Sequence, residues 1–208
     1  IVDTYSDERE IEICGQRIVY MVHEQVGHLG IFVSSSVARK EHSQMASTLK
    51  TIEALAPLDE FHVGGLPATR RIASRLTLMP HDQLVDLGCG TGGPARAIAD
   101  MAGCTVSGVD LTEEFVTAGR ALNDITGLTG QVTLTQGSIL ALPLSDDAFS
   151  HAVMLHVGMN VEDKHGLMRE AFRILQPGGR FCVYDMMQVS NGVLEFPFPW
   201  AADASFSA

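Results

Sequence analysis

The stretch "VDLGCGTGGPAR", Val85 to Arg96, decides the fold. An apolar run enters Gly88, Gly90 and Gly93 in G-x-G-x-x-G spacing, and a helix-like segment, "PARAIADMAG", leaves it with Pro94 in the first turn, where a missing N–H costs nothing. Glycine spacing alone is a weak signal, because tight strand-to-helix turns use glycine for geometry. Asp86, two residues before the first glycine, is the more informative residue. A carboxylate at that mouth repels the pyrophosphate that a loop and helix N-terminus otherwise attract. A cationic, phosphate-free ligand reverses the sign, and S-adenosylmethionine, with its sulfonium and ammonium, is such a ligand.

Outward from the loop, short apolar runs alternate with amphipathic segments of helix length from Leu58 onward, the rhythm of βαβ units. "QLVDLG" reads as a first strand, "TVSGVD" as the second, "QVTLTQG" the third, "AFSHAVMLH" the fourth and "RFCVYDMM" the fifth. Between them lie the helices "TEEFVTAGRALNDITG", which Thr112 is placed to cap, and "KHGLMREAFRIL", stopped by "QPGG". The expected fold class is α/β: a Rossmann-like, doubly wound, mostly parallel sheet with helices on both faces and right-handed crossovers. Asp110 ends the second strand, 24 residues beyond Asp86. A carboxylate there accepts both hydroxyls of a ribose, which confirms a nucleoside without choosing one.

Composition narrows the partners. With 25 acidic against 14 basic residues among 208, a net charge of −11 and a pI near 5.0, nucleic acid and anionic membranes are disfavoured and a small molecule is expected. Cys14, Cys89, Cys104 and Cys182 show no zinc-type spacing, so no metal site is expected and the thiols read as reduced, in a cytoplasmic protein. No uncharged apolar run reaches about 18 residues, and "IVDTYSDERE" lacks the regions of a signal peptide.

The block running from "LDEFHVGGLPATRRIA" through the glycine loop, "VSGVDLTEEFVTAGRALNDITGL", "GSILALPLSDDAFSHAV", "DKHGLMREAFRILQPGGRFCVYD" and "FPFPWAADASFS" resembles class I S-adenosylmethionine-dependent methyltransferases, most of all the small-molecule branch often labelled sarcosine/dimethylglycine methyltransferase-like. The resemblance covers Leu58 to Ala208. It implies that Asp86, Gly88, Gly90 and Gly92 hold the methionine part of S-adenosylmethionine, with Cys89 serving as backbone. Asp110 and Leu111 would hold the ribose and one adenine face, and Ser138 and Ile139 the adenine edge. Ser138 stands where related sequences usually carry aspartate; Ser150 likewise replaces an aspartate, and His151 is unusual inside a strand. Methyl transfer needs alignment and a dry site above all, and a base only for some acceptors. His156, just past the fourth strand, is the candidate catalytic base or substrate-orienting group. Asn160 and His62 are candidate substrate contacts, His62 as a residue closing over the cofactor; Asn160 reads equally well as a turn or capping residue, and His62 more readily as a loop or capping residue. The implied reaction is methyl transfer to a small acceptor such as an amine. The alternative is a catalytically silent cofactor-binding or scaffold protein.

Both ends depart from the pattern. Residues 1–57 read as a strand, "QRIVYMVHE", a glycine-punctuated turn, "QVGHLGIF", and a helix, "SVARKEHSQMASTLKTIEAL": a lid or fused remnant beside the methyltransferase domain at 58–208. They resemble the last strand and histidine loop of polyhydroxyalkanoate-synthase-like α/β-hydrolases, with His28 as triad base, but no G-x-S-x-G elbow accompanies it. His23 and His28 are five residues apart, so a zinc-helix motif fails. Only 21 residues follow Met187, so the usual C-terminal hairpin is expected to be missing, unless "QRIVYMVHE" takes its place at the sheet edge. An edge left open favours a homodimer, or instability.

Overall fold

The structure is a computed structural model that describes residues 7–13, 16–22, 29–34 and 51–186. In the N-terminal part, β1 (Asp7–Ile13), β2 (Gln16–Val22) and β3 (Leu29–Ser34) form an antiparallel sheet of their own, in the order β1-β2-β3. The strand expected at "QRIVYMVHE" is therefore present as β2. It pairs with β1 and β3 and does not stand in for a hairpin at the edge of the main sheet. Two strands went unread. β1 opens on Asp-Glu-Arg-Glu, which masks its alternation, and β3 begins at Leu29 inside the segment read as a turn. His23, Glu24, His28 and most of the expected helix at 36–55 lie outside the described residues.

The rest follows as α1 (Ile52–Asp59), α2 (Gly65–Leu76), β4 (Gln83–Leu87), α3 (Gly93–Ala102), β5 (Thr105–Asp110), α4 (Glu113–Thr126), β6 (Val132–Gln136), β7 (Phe149–Leu155), a 3₁₀ turn at Gly158–Asn160, α5 (Lys164–Ile174) and β8 (Leu175–Tyr184). The last five strands make one parallel sheet in the order β6-β5-β4-β7-β8. Strand order reverses at β4, so a crevice opens at the carboxyl ends of β4, β5 and β7, where such sheets bind ligands.

Strands buried on both faces sort their residues by the period of two. Leu84, Val106, Leu134 and Val153 pack with Ile72, Leu76, Ile98 and Val116 from α2, α3 and α4 on one side. Val85, Val109, Ala152 and Met154 pack with Leu167, Ala171 and Ile174 of α5 on the other.

Several boundaries differ from those read in the sequence. α1 crosses the division expected at Pro57, is capped by Thr51 accepting from the Ala54 N–H at 3.2 Å, and buries Ile52 against Leu66 and Ala97 of the main domain. Thr112 occupies the N-cap position of α4 without a side-chain bond, and its backbone N–H donates to Asp110. "QPGG" does not cap α5: the helix ends at Ile174, and residues 176–179 bulge from β8 opposite Ser150, where pairing jumps from Phe149–Leu175 to His151–Arg180. β8 ends at Tyr184, short of the Met187 expected; 187–208 lie outside the described residues. Among the described residues no helix is long and apolar enough to cross a membrane.

Ser150 and His151 sit at the opposite end of the sheet from the crevice. The Ser150 hydroxyl donates to Asp82 at 2.9 Å and lies 3.0 Å from His151 Nδ1, pinning the first residues of β7 to the turn before β4.

The third glycine of the motif acts by close approach. A Cβ on Gly93 would strike the carbonyl of Asp59, so the strap 59–63 that links α1 to α2 can lie directly on the glycine loop. Gly93→Ala is expected to lower stability by about 1–3 kcal/mol through forced displacement of that strap, read as a lower urea midpoint. An unchanged midpoint would show that the strap is free to shift.

Candidate active site

The crevice is a cavity of about 690 Å³. Asp86 at the end of β4, Gly88, Cys89 and Gly90 form its floor; Asp110, Leu111 and Phe115 one wall; Ser138 and Ile139 another; Leu155, His156 and the 3₁₀ turn with Asn160 a third; Asp59, Phe61 and His62 of the strap the fourth. Every site residue expected from the sequence meets here except Gly92. With φ of 82°, Gly92 starts α3 in the left-handed region, and a Cβ there would lie 2.9 Å from Leu134 Cδ1, on the packed side of the loop. Its role is the turn itself.

Asp86 is 1% exposed, and its Oδ2 is buried without a partner. Burial first, and the nearby Asp110 charge second, push its carboxyl up to about 7. An arriving cation therefore finds an acceptor that nothing else satisfies. Asp110 is held differently: Oδ2 accepts the Gly90 N–H at 2.8 Å and Oδ1 the Thr112 N–H at 2.9 Å. Those two bonds clamp the loop to the tip of β5, and each oxygen keeps a lone pair for a ribose hydroxyl. Ser138 uses its oxygen to accept from the Leu140 N–H at 3.2 Å, leaving its O–H for an adenine edge. Cys89 stays a thiol, held well above its usual range by burial.

The histidines divide. Both ring nitrogens of His62 face away from the cavity, Nε2 lying 3.2 Å from Thr69 Oγ1 and Nδ1 3.4 Å from Glu60 Oε2. Burial, then the neighbouring His156, depress it to about 4. It is a neutral part of the cavity wall, its two ring nitrogens standing beside Thr69 and Glu60. His156 is half-buried, with a left-handed φ of 56°. Its N–H donates to the Tyr184 carbonyl at 2.8 Å, and its ring stands 5.5 Å from Tyr184 and 6.1 Å from His62. Burial lowers its pKa while Asp185 opposes that shift, so the neutral imidazole is the resting form. Asn160 lies exposed on the rim, its N–H closing the 3₁₀ turn onto Val157 at 2.9 Å.

Of the strap, His62 was legible as part of the site, and Asp59 and Phe61 were not. Phe61 covers Gly90 and meets Phe115 at 6.0 Å, while Asp59 accepts from the buried Arg96 at 2.6 Å. Arg96 also donates to the Gly119 carbonyl at 3.2 Å and to Asn123 at 2.9 Å. A charged residue inside the apolar face of "PARAIADMAG" was the available signal for a buried ion pair.

Residues 85–183 match the family model described as a methyltransferase domain, and residues 1–74 match one described as a protein of unknown function, DUF3141. The chain is 35% identical over 120 residues to 24-methylenesterol C-methyltransferase 2 of Oryza sativa subsp. japonica, covering 58% of this chain and 33% of that one. Among solved structures it is similar to geranyl diphosphate C-methyltransferase from Streptomyces coelicolor A3(2) in complex with Mg2+, geranyl diphosphate and S-adenosyl-L-homocysteine: 26% identity, TM-score 0.54, 69% of this chain and 50% of that one. A protein titled a sarcosine dimethylglycine methyltransferase from Galdieria sulphuraria aligns at 23% identity with TM-score 0.52, over 58% of this chain and 44% of that one, a likeness of fold alone. The chain spans about a third of the length of the curated relatives it matches. Fold, loop and comparisons define the five-stranded part as a class I S-adenosylmethionine-dependent methyltransferase domain. The sarcosine/dimethylglycine branch expected from the sequence has only that fold-level likeness beside it, and sterol C-methyltransferases are more prominent among the curated relatives.

Proposed function

We propose that this chain transfers the methyl group of S-adenosylmethionine to a small, largely apolar acceptor held against His156. The observation that carries the acceptor class is the lining of the cavity beyond the cofactor residues: Leu155, Val157, Met159 and Val161, with Leu140 at a rim where it is 42% exposed. Such a wall desolvates an apolar chain; Asn160, Glu162 and Asp163, on the same segment, are the polar groups an amine would meet instead. The relatives named above, a sterol and a geranyl diphosphate methyltransferase, lie in the same chemical direction.

When bound, the cofactor supplies a methyl group on a sulfonium. The residues around it orient and dehydrate. Asp86 neutralises the methionine end, Asp110 and Leu111 take the ribose and adenine, and the strap closes water out above Gly90. His156, neutral at rest, accepts a proton from an acceptor that sheds one on methylation. The experiment is a screen of isoprenoid, sterol and amine acceptors with methyl-labelled cofactor, comparing wild type with His156→Ala. An apolar acceptor is expected to be labelled, with the rate about a hundredfold lower in the variant and cofactor affinity unchanged. Labelling confined to amines, with no loss in the variant, would overturn the acceptor class and the role of His156.

A further inference from the structure

β7 ends at Leu155, and His156, the next residue, turns out of the sheet with a left-handed φ of 56°. A residue with a side chain seldom takes that conformation, which costs free energy and persists only where the surroundings hold it. Tyr184, at the end of β8, holds it in two ways. Its carbonyl accepts the His156 N–H at 2.8 Å, and its ring stands 5.5 Å from the imidazole at 40°, within the range of favourable ring contacts. On the other side a Cβ on Gly88 would strike Val157, so the chain just beyond His156 lies against the glycine loop.

The same Tyr184 reaches the strap. Its Oη donates to the Val63 carbonyl at 3.2 Å, and its ring meets His62 edge-on at 5.9 Å. The strap is thus fastened at one end by Asp59 on Arg96 and at the other by Val63 on Tyr184, with Phe61 between them over Gly90. The two fastenings differ in strength. The first is charged and buried, whereas the second is neutral and open to water, so the Val63 end is the one that lifts at small cost.

We propose that Tyr184 is a positioning residue with two parts: its ring and carbonyl hold the imidazole of His156 at the cavity wall, and its hydroxyl latches the Val63 end of the strap over the bound cofactor. The inference rests on the reading of His156 as the group that meets the acceptor and of the strap as the cover of the cofactor. It adds a residue that does not itself line the cavity. Cofactor must enter and its product leave in every turnover, and a weak latch permits both.

Substitution separates the two parts. Phenylalanine keeps the ring and removes only the donor; leucine removes both. Dissociation of S-adenosylhomocysteine, followed by stopped flow, reads the latch. Titration of the His156 imidazole by NMR, its resonance assigned by its loss in His156→Gln, reads the positioning. Tyr184→Phe is expected to release S-adenosylhomocysteine roughly two- to tenfold faster, the worth of one neutral hydrogen bond, with the His156 midpoint unchanged. In Tyr184→Leu release is expected to be at least as fast, and the His156 midpoint to rise toward the ordinary histidine value near 6.5, because burial holds it down and water then reaches the ring. Asp185, which follows β8 and opposes that depression, and neutral His62 on the strap are the titratable neighbours, and both are kept in each variant. Tyr184→Met, whose flexible chain refills the space, repeats the second measurement should leucine unfold the domain.

Release from Tyr184→Phe at the wild-type rate overturns the latch, and an unmoved His156 midpoint in Tyr184→Leu overturns the positioning role. A midpoint that moves equally in Tyr184→Phe also overturns that role, since a general loosening moves both readouts in both variants. Absence of S-adenosylhomocysteine binding by the wild type overturns the cofactor reading and the latch with it. Neither readout needs an acceptor, so failure of His156 as a base, seen in the acceptor screen, is distinguished from failure of Tyr184.

Discussion

Arg96→Met is expected to lose about 3–5 kcal/mol of folding stability, a large share of what a domain of this size possesses. Arg96 is fully buried, and its guanidinium ties α3 to two other pieces of chain: Asp59 of the strap at 2.6 Å, and α4 through the Gly119 carbonyl at 3.2 Å and Asn123 at 2.9 Å. Methionine matches the length of the stem but leaves the Asp59 carboxylate buried beside an apolar group. Burial already pushes that carboxyl up against the pull of Arg96, so without the cation it takes up a proton or drags the strap toward water. Urea denaturation measures the loss. The double variant Asp59→Asn with Arg96→Met should regain part of it, because neither partner is then an unpaired charge. A loss under about 1 kcal/mol in the single variant would show that the pair behaves as a surface bridge.

The second large effect falls on the cofactor. Asp110→Ala is expected to weaken S-adenosylhomocysteine binding at least a hundredfold, because two charge-assisted bonds to a ribose, at about 1.5–3 kcal/mol each, are lost. Ligand at a hundred times the wild-type dissociation constant stabilises by about 2.7 kcal/mol, and after a hundredfold weakening by only about 0.4 kcal/mol. The cofactor-induced rise in melting temperature should therefore almost vanish. Asp110→Asn, which keeps an acceptor for either the Gly90 or the Thr112 N–H, should fall between. A full thermal rise in Asp110→Ala would remove Asp110 from the site and the nucleoside reading with it.

Much of the site was legible because its signals are local. A turn that needs glycine at 88 and 90, an acid just before it and an acid at the tip of the next strand are all carried by short, contiguous segments whose strand-turn-helix geometry is dictated by near neighbours. The five parallel strands were readable for the same reason: runs such as "QLVDL" and "SHAVML" are apolar on both faces. Glu60, Phe61 and Phe115 carry no such local mark. Their importance comes from a strap that lies on the loop some thirty residues downstream, and Gly93 permits that contact without announcing it. His62 shows the converse. Its residue type suggested chemistry, but Thr69 and Glu60, brought alongside by α2 and the strap, stand beside both of its ring nitrogens.

By itself the sequence determined the βαβ order, the glycine turn and the pair of aspartates that stand at it, since periodicity and turn chemistry act over a few residues. Only the tertiary structure decided which histidine is free to meet a substrate, which buried carboxyls stand unpaired and what closes the site from above. Burial and charge pairing depend on which distant segments pack together, and those contacts alone distinguish Asp59, neutralised by Arg96, from Glu60 one residue later.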